Sequence, residues 1–148
     1  MPTVLIIDDD HAMRTALEML LKKKKFGVFL APDGPTGIRL VSSLSFDAVV
    51  IDMFMPGMDG IATIRELIKL DPTVPFIAIS GYAFTDRRHG APDFLGMAIK
   101  LGATAALQKP FDILDLLEAV NRAVDARQRL LTDGRQNGSD TSSVRKAS

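Results

Sequence analysis

Carboxylates stand directly after two apolar runs of this chain. Asp8 and Asp9 follow Val-Leu-Ile-Ile, and Asp52 follows Ala-Val-Val-Ile. Both runs are short and rich in β-branched residues, which is typical of buried strands in a parallel sheet. Such a strand delivers its carboxylate to the sheet edge where open α/β folds bind ligands. Asp52 as a helix cap is the ordinary alternative, but Asp59 stands directly before the next helical period and fits that role better.

Two further strand-like runs end on side chains that suit a phosphoryl group. Ser80 follows residues 75–79, and Lys109 follows the weaker run 103–108. A hydroxyl can donate to a phosphoryl oxygen, and an ammonium group supplies a compensating point charge. Taken singly, Ser80 is an ordinary strand terminator and Lys109 an ordinary surface lysine. Their occurrence at successive strand ends, together with the acids, favours a common site.

The combination of acids predicts a bound cation. Three carboxylates at one sheet edge repel one another and need a hard cation, a proton or a lysine to coexist. Oxygen ligands with an open face suit Mg²⁺, or Mn²⁺, which keeps waters and accepts a phosphate oxygen. A carboxylate beside that ion can attack a phosphoryl donor and form an acyl phosphate. The residues at this edge therefore predict phosphoryl-transfer chemistry.

A strand followed by a helix recurs about five times along the chain. This alternation predicts an α/β fold, a doubly wound five-stranded parallel sheet with helices on both faces. In the flavodoxin-like order 2-1-3-4-5, the first and third strands are neighbours, so Asp8, Asp9 and Asp52 converge. Aspartates are placed to cap three of the helices, and these predicted caps are Asp10, Asp59 and Asp112. Asp33-Gly34-Pro35 indicates the start of another helix, because proline is tolerated in the first turn.

The composition excludes several classes of protein. The chain has 148 residues, 47% of them hydrophobic, which is typical of one globular domain. It has no cysteine, which excludes a disulfide framework, a thiol nucleophile and thiolate metal ligands. Its 18 basic residues balance 18 acidic ones, so its charge gives no reason to expect nucleic acid as a partner. The lysine run 22–25 is interpreted as a solvated helix end. With no membrane-length apolar run and no export signal, we expect a cytoplasmic protein that does not contact a membrane.

Taken together, the motifs resemble those of a response regulator receiver domain. They are Asp8-Asp9, Asp52 with the following Met-Phe-Met-Pro-Gly-Met-Asp-Gly, Ser80-Gly81 and Lys109-Pro110-Phe111, within a match from about Thr3 to about Arg127. The resemblance implies that Asp52 accepts a phosphoryl group from a histidine kinase or a histidine phosphotransfer protein. It also implies a switch that acts on a downstream protein, as a monomer or as a phosphorylation-dependent dimer.

The resemblance also assigns the supporting residues. It implies Mg²⁺ on Asp9 and Asp52, with a backbone carbonyl from Phe54 and support from Asp8. It implies that Ser80 and Lys109 bind the phosphoryl oxygens, and that the Lys109–Pro110 peptide bond is cis.

Three features depart from the family pattern. Ala106 stands where receivers usually place an aromatic residue that rotates on activation, and Tyr82 is only a speculative substitute. The span from Ser80 to Lys109 is longer than usual, and we expect residues 82–92 to form a mobile loop that tunes partner choice or the mobility of the helix that follows. Phe54 is apolar where a polar residue could place hydrolytic water, so we expect no strong built-in dephosphorylation.

We expect a receiver domain over residues 1–131 and a disordered polar tail over 132–148, in a stand-alone receiver without its own output domain. A receiver cut from a longer protein is the alternative.

An aspartyl-phosphate-type Mg²⁺ phosphatase is an alternative function for this chain. It would lack its general acid, because Phe54 occupies that position. A flavodoxin-like cofactor binder and a phosphorylation-independent receiver-fold adaptor are the other readings.

Overall fold

Five strands form one parallel sheet in the order β2-β1-β3-β4-β5, which confirms the predicted topology. The computed structural model describes residues 1–55, 57–81 and 93–147, with side chains described through residue 133. The predicted loop 82–92 lies outside the described residues. The strands are β1 (Thr3–Ile7), β2 (Gly27–Ala31), β3 (Ala48–Asp52), β4 (Phe76–Ser80) and β5 (Ala105–Gln108).

Aspartate side chains begin the helices, as the sequence predicts. Asp10, Asp33 and Asp59 each accept hydrogen bonds from backbone N–H groups of the first turn that follows. Asp112 accepts one from the N–H group of Leu114. These bonds satisfy donors that a helix start otherwise leaves unpaired. The helices are α1 (His11–Lys23), α2 (Gly34–Ser43), α3 (Gly60–Leu70), α4 (Phe94–Lys100) and α5 (Ile113–Ala147).

The sheet is covered on both faces. Because successive residues of a strand point to opposite faces, Leu5 and Ile7 enter one core cluster while Val4 and Ile6 enter the other. The first cluster packs against α2, α3 and α4, and the second against α1 and α5. Strands β1, β3 and β4 are buried almost throughout, which is the physical reason for their continuous apolar runs.

The parallel register aligns the strand ends. Ile7 of β1 pairs with Ile51 of β3, and Asp52 pairs with Ile79 of β4. Ser80 in turn pairs with Gln108 of β5. The residues that follow each strand therefore emerge at one edge of the sheet. This register therefore places the predicted site residues at the same edge of the sheet.

The last helix differs from the sequence prediction. It continues to Ala147, past Thr132, where the loss of hydrophobic periodicity predicts a disordered tail. No proline follows Pro110, so nothing removes a backbone donor, and an established helix extends by one hydrogen bond per residue. Periodicity indicates packing and not helix formation itself. The division of the chain at residue 131 stays a prediction. Among the described residues, no helix has the length and apolar character needed to span a membrane.

Candidate functional site

Three carboxylates meet at the carboxyl edge of the sheet. Asp8, Asp9 and Asp52 each present an oxygen atom within 4.8 Å of the others. Asp8 is fully buried and Asp52 is 5% exposed, whereas Asp9 is exposed to solvent. Neighbouring strands β1 and β3 bring them together, so the predicted convergence is confirmed. The strand order is the physical reason, since residues 8 and 52 are far apart in the chain.

The ammonium group of Lys109 lies between two of these acids. Its Nζ is 3.0 Å from Oδ2 of Asp8 and 3.3 Å from Oδ2 of Asp52. Its backbone N–H donates to the carbonyl of Ser80 at 2.8 Å, which ties the end of β5 to β4. The peptide bond between Lys109 and Pro110 is cis, as the resemblance implies. The side chain from the fifth strand end thus reaches acids on the first and third.

Backbone N–H groups orient the two buried carboxylates. The N–H of Phe54 donates to Oδ1 of Asp52 at 3.0 Å, and the N–H of Asp10 donates to Oδ1 of Asp8 at 2.9 Å. Each acid therefore has one oxygen on a backbone donor and the other on Lys109. The guanidinium of Arg14 also donates to the backbone carbonyl of Asp8 at 2.7 Å. Sequence reasoning missed Arg14, although its place one helical turn after Asp10 was a usable signal.

Burial raises the pKa of Asp52 to about 6, against an ordinary value of 3.8. The hydrogen bond from Phe54 lowers this pKa, the charge of Asp8 raises it, and the ammonium of Lys109 lowers it. For Lys109, burial lowers the pKa, but the charges and hydrogen bonds of Asp52 and Asp8 outweigh burial and leave the pKa raised. At neutral pH the site therefore holds an ionised Asp52 beside a protonated lysine.

Asp9 and Asp52 open onto a cleft of about 240 Å³. Its described lining is Asp9, Asp10, Asp52, Phe54, Gly81 and Lys109. Ser80 lies immediately before Gly81, buried at the end of β4. All five predicted site side chains are thus on one edge of the sheet, and Phe54 is beside them. The roles assigned to them stay predictions.

The donor set fits a divalent cation. The acids offer only oxygen, which hard cations prefer, and the exposed Asp9 faces the open cleft. One lysine among three carboxylates leaves an excess of negative charge, which a divalent ion would balance. Asp8, Asp9 and Asp52 would hold the ion. When bound, the ion would reduce the charge repulsion between these carboxylates and a phosphoryl group.

The chain belongs to the response regulator receiver domain family, because the pattern of that family matches residues 4–121. It is therefore a receiver domain of the kind found in two-component systems. The match spans all five strands and the first four helices, and it ends within α5.

Named relatives agree with this assignment. The chain is 35% identical over 121 residues to the transcriptional regulatory protein FixJ of Bradyrhizobium diazoefficiens, covering 82% of this chain and 56% of FixJ. It is 30% identical to sporulation initiation phosphotransferase F of Bacillus subtilis, covering 80% of this chain and 90% of that protein. A receiver domain structure from Clostridium thermocellum superposes with a TM-score of 0.77 at 31% identity, covering 88% and 99% of the two chains. The chain spans about half the length of FixJ.

Proposed function

We propose that this protein is a phosphoryl-accepting signalling switch with Asp52 as the acceptor. The observation that carries the proposal is the placement of Lys109 Nζ between Asp8 and Asp52, in a cleft where three carboxylate oxygens lie within 4.8 Å of one another. A purely structural ion pair needs neither the third, exposed acid nor the opening to solvent. The family membership supports the same assignment.

The reaction follows from the arrangement of charges. An ionised oxygen of Asp52 attacks phosphorus, the bond between phosphorus and the donor imidazole nitrogen breaks, and its electron pair stays on that nitrogen. Lys109 remains protonated and balances the charge that develops on the phosphoryl oxygens. Ser80, at the adjacent strand end, donates its hydroxyl to another of these oxygens. The residues that would hold Mg²⁺ or Mn²⁺ are Asp8, Asp9, Asp52 and Phe54, the last through its backbone carbonyl.

The test compares the wild type with Asp52→Asn in the presence of Mg²⁺ and a small phosphodonor. We expect the wild type to gain the mass of one phosphoryl group and the variant to gain none. Asp59→Asn is the matched control, because it removes a carboxylate from the same loop and leaves an asparagine that also caps helices. Phosphorylation of Asp52→Asn, or none of the wild type, would overturn the assignment.

Two alternatives, a phosphatase and a phosphorylation-independent adaptor, predict different results for the same protein. An aspartyl-phosphate-type phosphatase would release phosphate from many monoesters, whereas the apolar Phe54 provides no general acid for that turnover. A phosphorylation-independent adaptor would leave the wild type unmodified. We expect neither result, because the phosphatase would lack its general acid at Phe54 and the adaptor would leave the exposed Asp9 without a role.

The partners proposed are a histidine kinase or a histidine phosphotransfer protein as donor and a downstream protein as target. The match to sporulation initiation phosphotransferase F covers 90% of that protein, and its name supports onward phosphoryl transfer as one output. The family match covers residues 4–121, which is most of the chain. We therefore propose that these residues pass on the signal through protein contacts or through onward phosphoryl transfer. We place this activity in the cytoplasm, where histidine kinases present their phosphoryl groups.

A further inference from the structure

Phe54 connects the acceptor carboxylate to α4 through two different parts of the same residue. Its backbone N–H donates to Oδ1 of Asp52 at 3.0 Å. Its ring packs against the ring of Phe94, the first residue of α4, with centroids 6.5 Å apart and planes inclined by 56°. Tilted rings at this separation attract one another beyond the area they bury. A movement of the Phe54 backbone is therefore felt at the start of α4.

Ala106, which stands where receivers usually place an aromatic residue, cannot connect the site to α4 in this way. Ala106 lies in β5, pairs with Ala78 of β4 and is only half-buried. Its methyl group has no alternative rotamer, so it has no second position to adopt when the site changes. A rotating side chain at position 106 therefore cannot carry a signal to α4.

Phosphorylation changes the hydrogen bond that holds Phe54. A carboxylate that becomes an acyl phosphate loses its own charge, and hydrogen bonds to charged acceptors are roughly twice as strong as those to neutral ones. Oδ1 of Asp52 would then hold the N–H of Phe54 less strongly, while the phosphoryl group draws the surrounding donors toward itself. The bond to Phe54 is thus a part of the site whose strength depends on the state of Asp52.

We propose that Phe54 is a positioning residue that couples the state of Asp52 to α4 through its contact with Phe94. This inference rests on the proposed function of Asp52. Phe54 is 47% exposed, so its ring is not enclosed by the core. The pair replaces the aromatic rotation on β5 that Ala106 precludes.

The test uses beryllofluoride with Mg²⁺ as the phosphoryl mimic and hydrogen exchange as the readout. The amides of Met97 and Leu101 report on α4, because they donate to the backbone carbonyls of Asp93 and Met97. In the wild type we expect beryllofluoride to change their exchange rates. In Phe54→Leu and in Phe94→Leu this change should shrink by roughly two- to tenfold, which is the range for one aromatic pair. The double variant should match the single variants.

The matched control is Phe29→Leu. Phe29 is also a partly exposed ring in an aromatic pair, with Phe46 at 5.5 Å, but it lies on β2 away from α4. The Phe29→Leu variant should leave the beryllofluoride response of α4 at the wild-type level.

Fluorine NMR of the bound beryllofluoride separates the proposed function of Asp52 from the proposed coupling through Phe54. Absence of bound signal in the wild type would overturn the function of Asp52, whereas bound signal with a full α4 response in both leucine variants would overturn only the coupling.

Discussion

At the scale of single residues, the site depends on one lysine that serves two acids. Asp8 is fully buried, and its described charge partner is Lys109. An isolated carboxylate in such a place is strongly disfavoured unless a cation or a proton balances it. The site is therefore stabilised by the same charge that the proposed chemistry uses.

Replacing Lys109 by methionine should destabilise the metal-free protein by about 2 kcal/mol, because it leaves Asp8 and Asp52 facing each other without a cation. Urea unfolding measures the change, and saturating Mg²⁺ should restore more stability to the variant than it adds to the wild type. Lys69→Met is the control. Lys69 pairs with Glu66 on the exposed surface of α3, where such pairs contribute little. Equal losses in the two variants would contradict the central role of Lys109.

The raised pKa of Asp52 makes stability depend on pH in a defined direction. Between its ordinary value of 3.8 and about 6, the folded protein keeps a proton that the unfolded chain has released. The contribution of Asp52 to the unfolding free energy therefore falls as the pH rises from about 4 to about 6, by at most about 3 kcal/mol.

Asp52→Asn should escape this loss. Relative to the wild type in EDTA, the variant should gain about 1–3 kcal/mol in unfolding free energy between pH 4 and pH 7. Denaturant unfolding at both pH values measures the difference, and Asp59→Asn should follow the wild type. A constant difference across this range would show that burial does not raise the pKa of Asp52.

At the scale of elements, the start of α3 is pressed against the end of β3. A Cβ atom on Gly60 would lie 2.5 Å from Cα of Met53 and 3.0 Å from the carbonyl oxygen of Asp52. Neither neighbour is a flexible side chain, so the backbone itself would have to move. The glycine thus sets the distance between the helix and the end of β3, where Asp52 lies.

Gly60→Ala should lower the unfolding free energy by about 1–3 kcal/mol and slow phosphorylation of Asp52, because it displaces the loop after β3. Thermal unfolding and phosphodonor kinetics measure the two effects. Gly27→Ala provides the control, since its Cβ would meet only an ordinary contact 3.4 Å from Oγ1 of Thr3. Wild-type kinetics in Gly60→Ala would show that the loop tolerates the shift.

At the scale of the whole molecule, the opposite edge of the sheet carries a second polar network. The guanidinium of Arg127, buried on α5, donates to Asp71 at 3.1 Å, Thr73 at 3.0 Å and Ser45 at 2.9 Å. It also lies 3.9 Å from Asp47, whose carboxylate accepts from the N–H of Thr3. These partners precede β1, β3 and β4 or begin them. Arg127 therefore fastens the last helix to the amino-terminal ends of the sheet.

Arg127→Met should cost about 2–4 kcal/mol of stability while leaving beryllofluoride binding by the folded protein within about twofold of the wild type. The loss arises because the partners of a buried guanidinium are left unpaired, at the edge remote from the candidate site. Arg129→Met, on the exposed side of the same helix, should be nearly neutral. Weakened beryllofluoride binding in Arg127→Met would reveal a link between the two edges.

The far part of α5 adds little to the packed core. Residues 128–133 are exposed, so a chain that ends at Asp133 should keep its unfolding free energy within about 1 kcal/mol. A chain that ends at Arg122 also loses the buried residues Ala123, Val124 and Arg127, and it should be destabilised by several kcal/mol. A large loss on removal of residues 134–148 alone would contradict the predicted domain boundary near residue 131.

Local patterns were sufficient for the fold and for most of the site. The runs before Asp8, Asp52 and Ser80 read as buried strands because their residues face two covered sides of the sheet. The helix starts at Asp10 and Asp59 were predictable because capping depends on the next few residues only. The course of α5 beyond Thr132 was not, because a helix without a packing face leaves no hydrophobic period.

The sequence by itself determined which residue types stand at the strand ends, since each motif depends on near neighbours in the chain. Only the tertiary structure decided that Lys109 reaches both Asp8 and Asp52, that Phe54 meets Phe94, and that Arg127 joins the loops before β3 and β4. These contacts link residues dozens of positions apart, and their distances follow from strand order, register and helix packing. No local pattern encodes such distances, because each depends on the simultaneous placement of several elements.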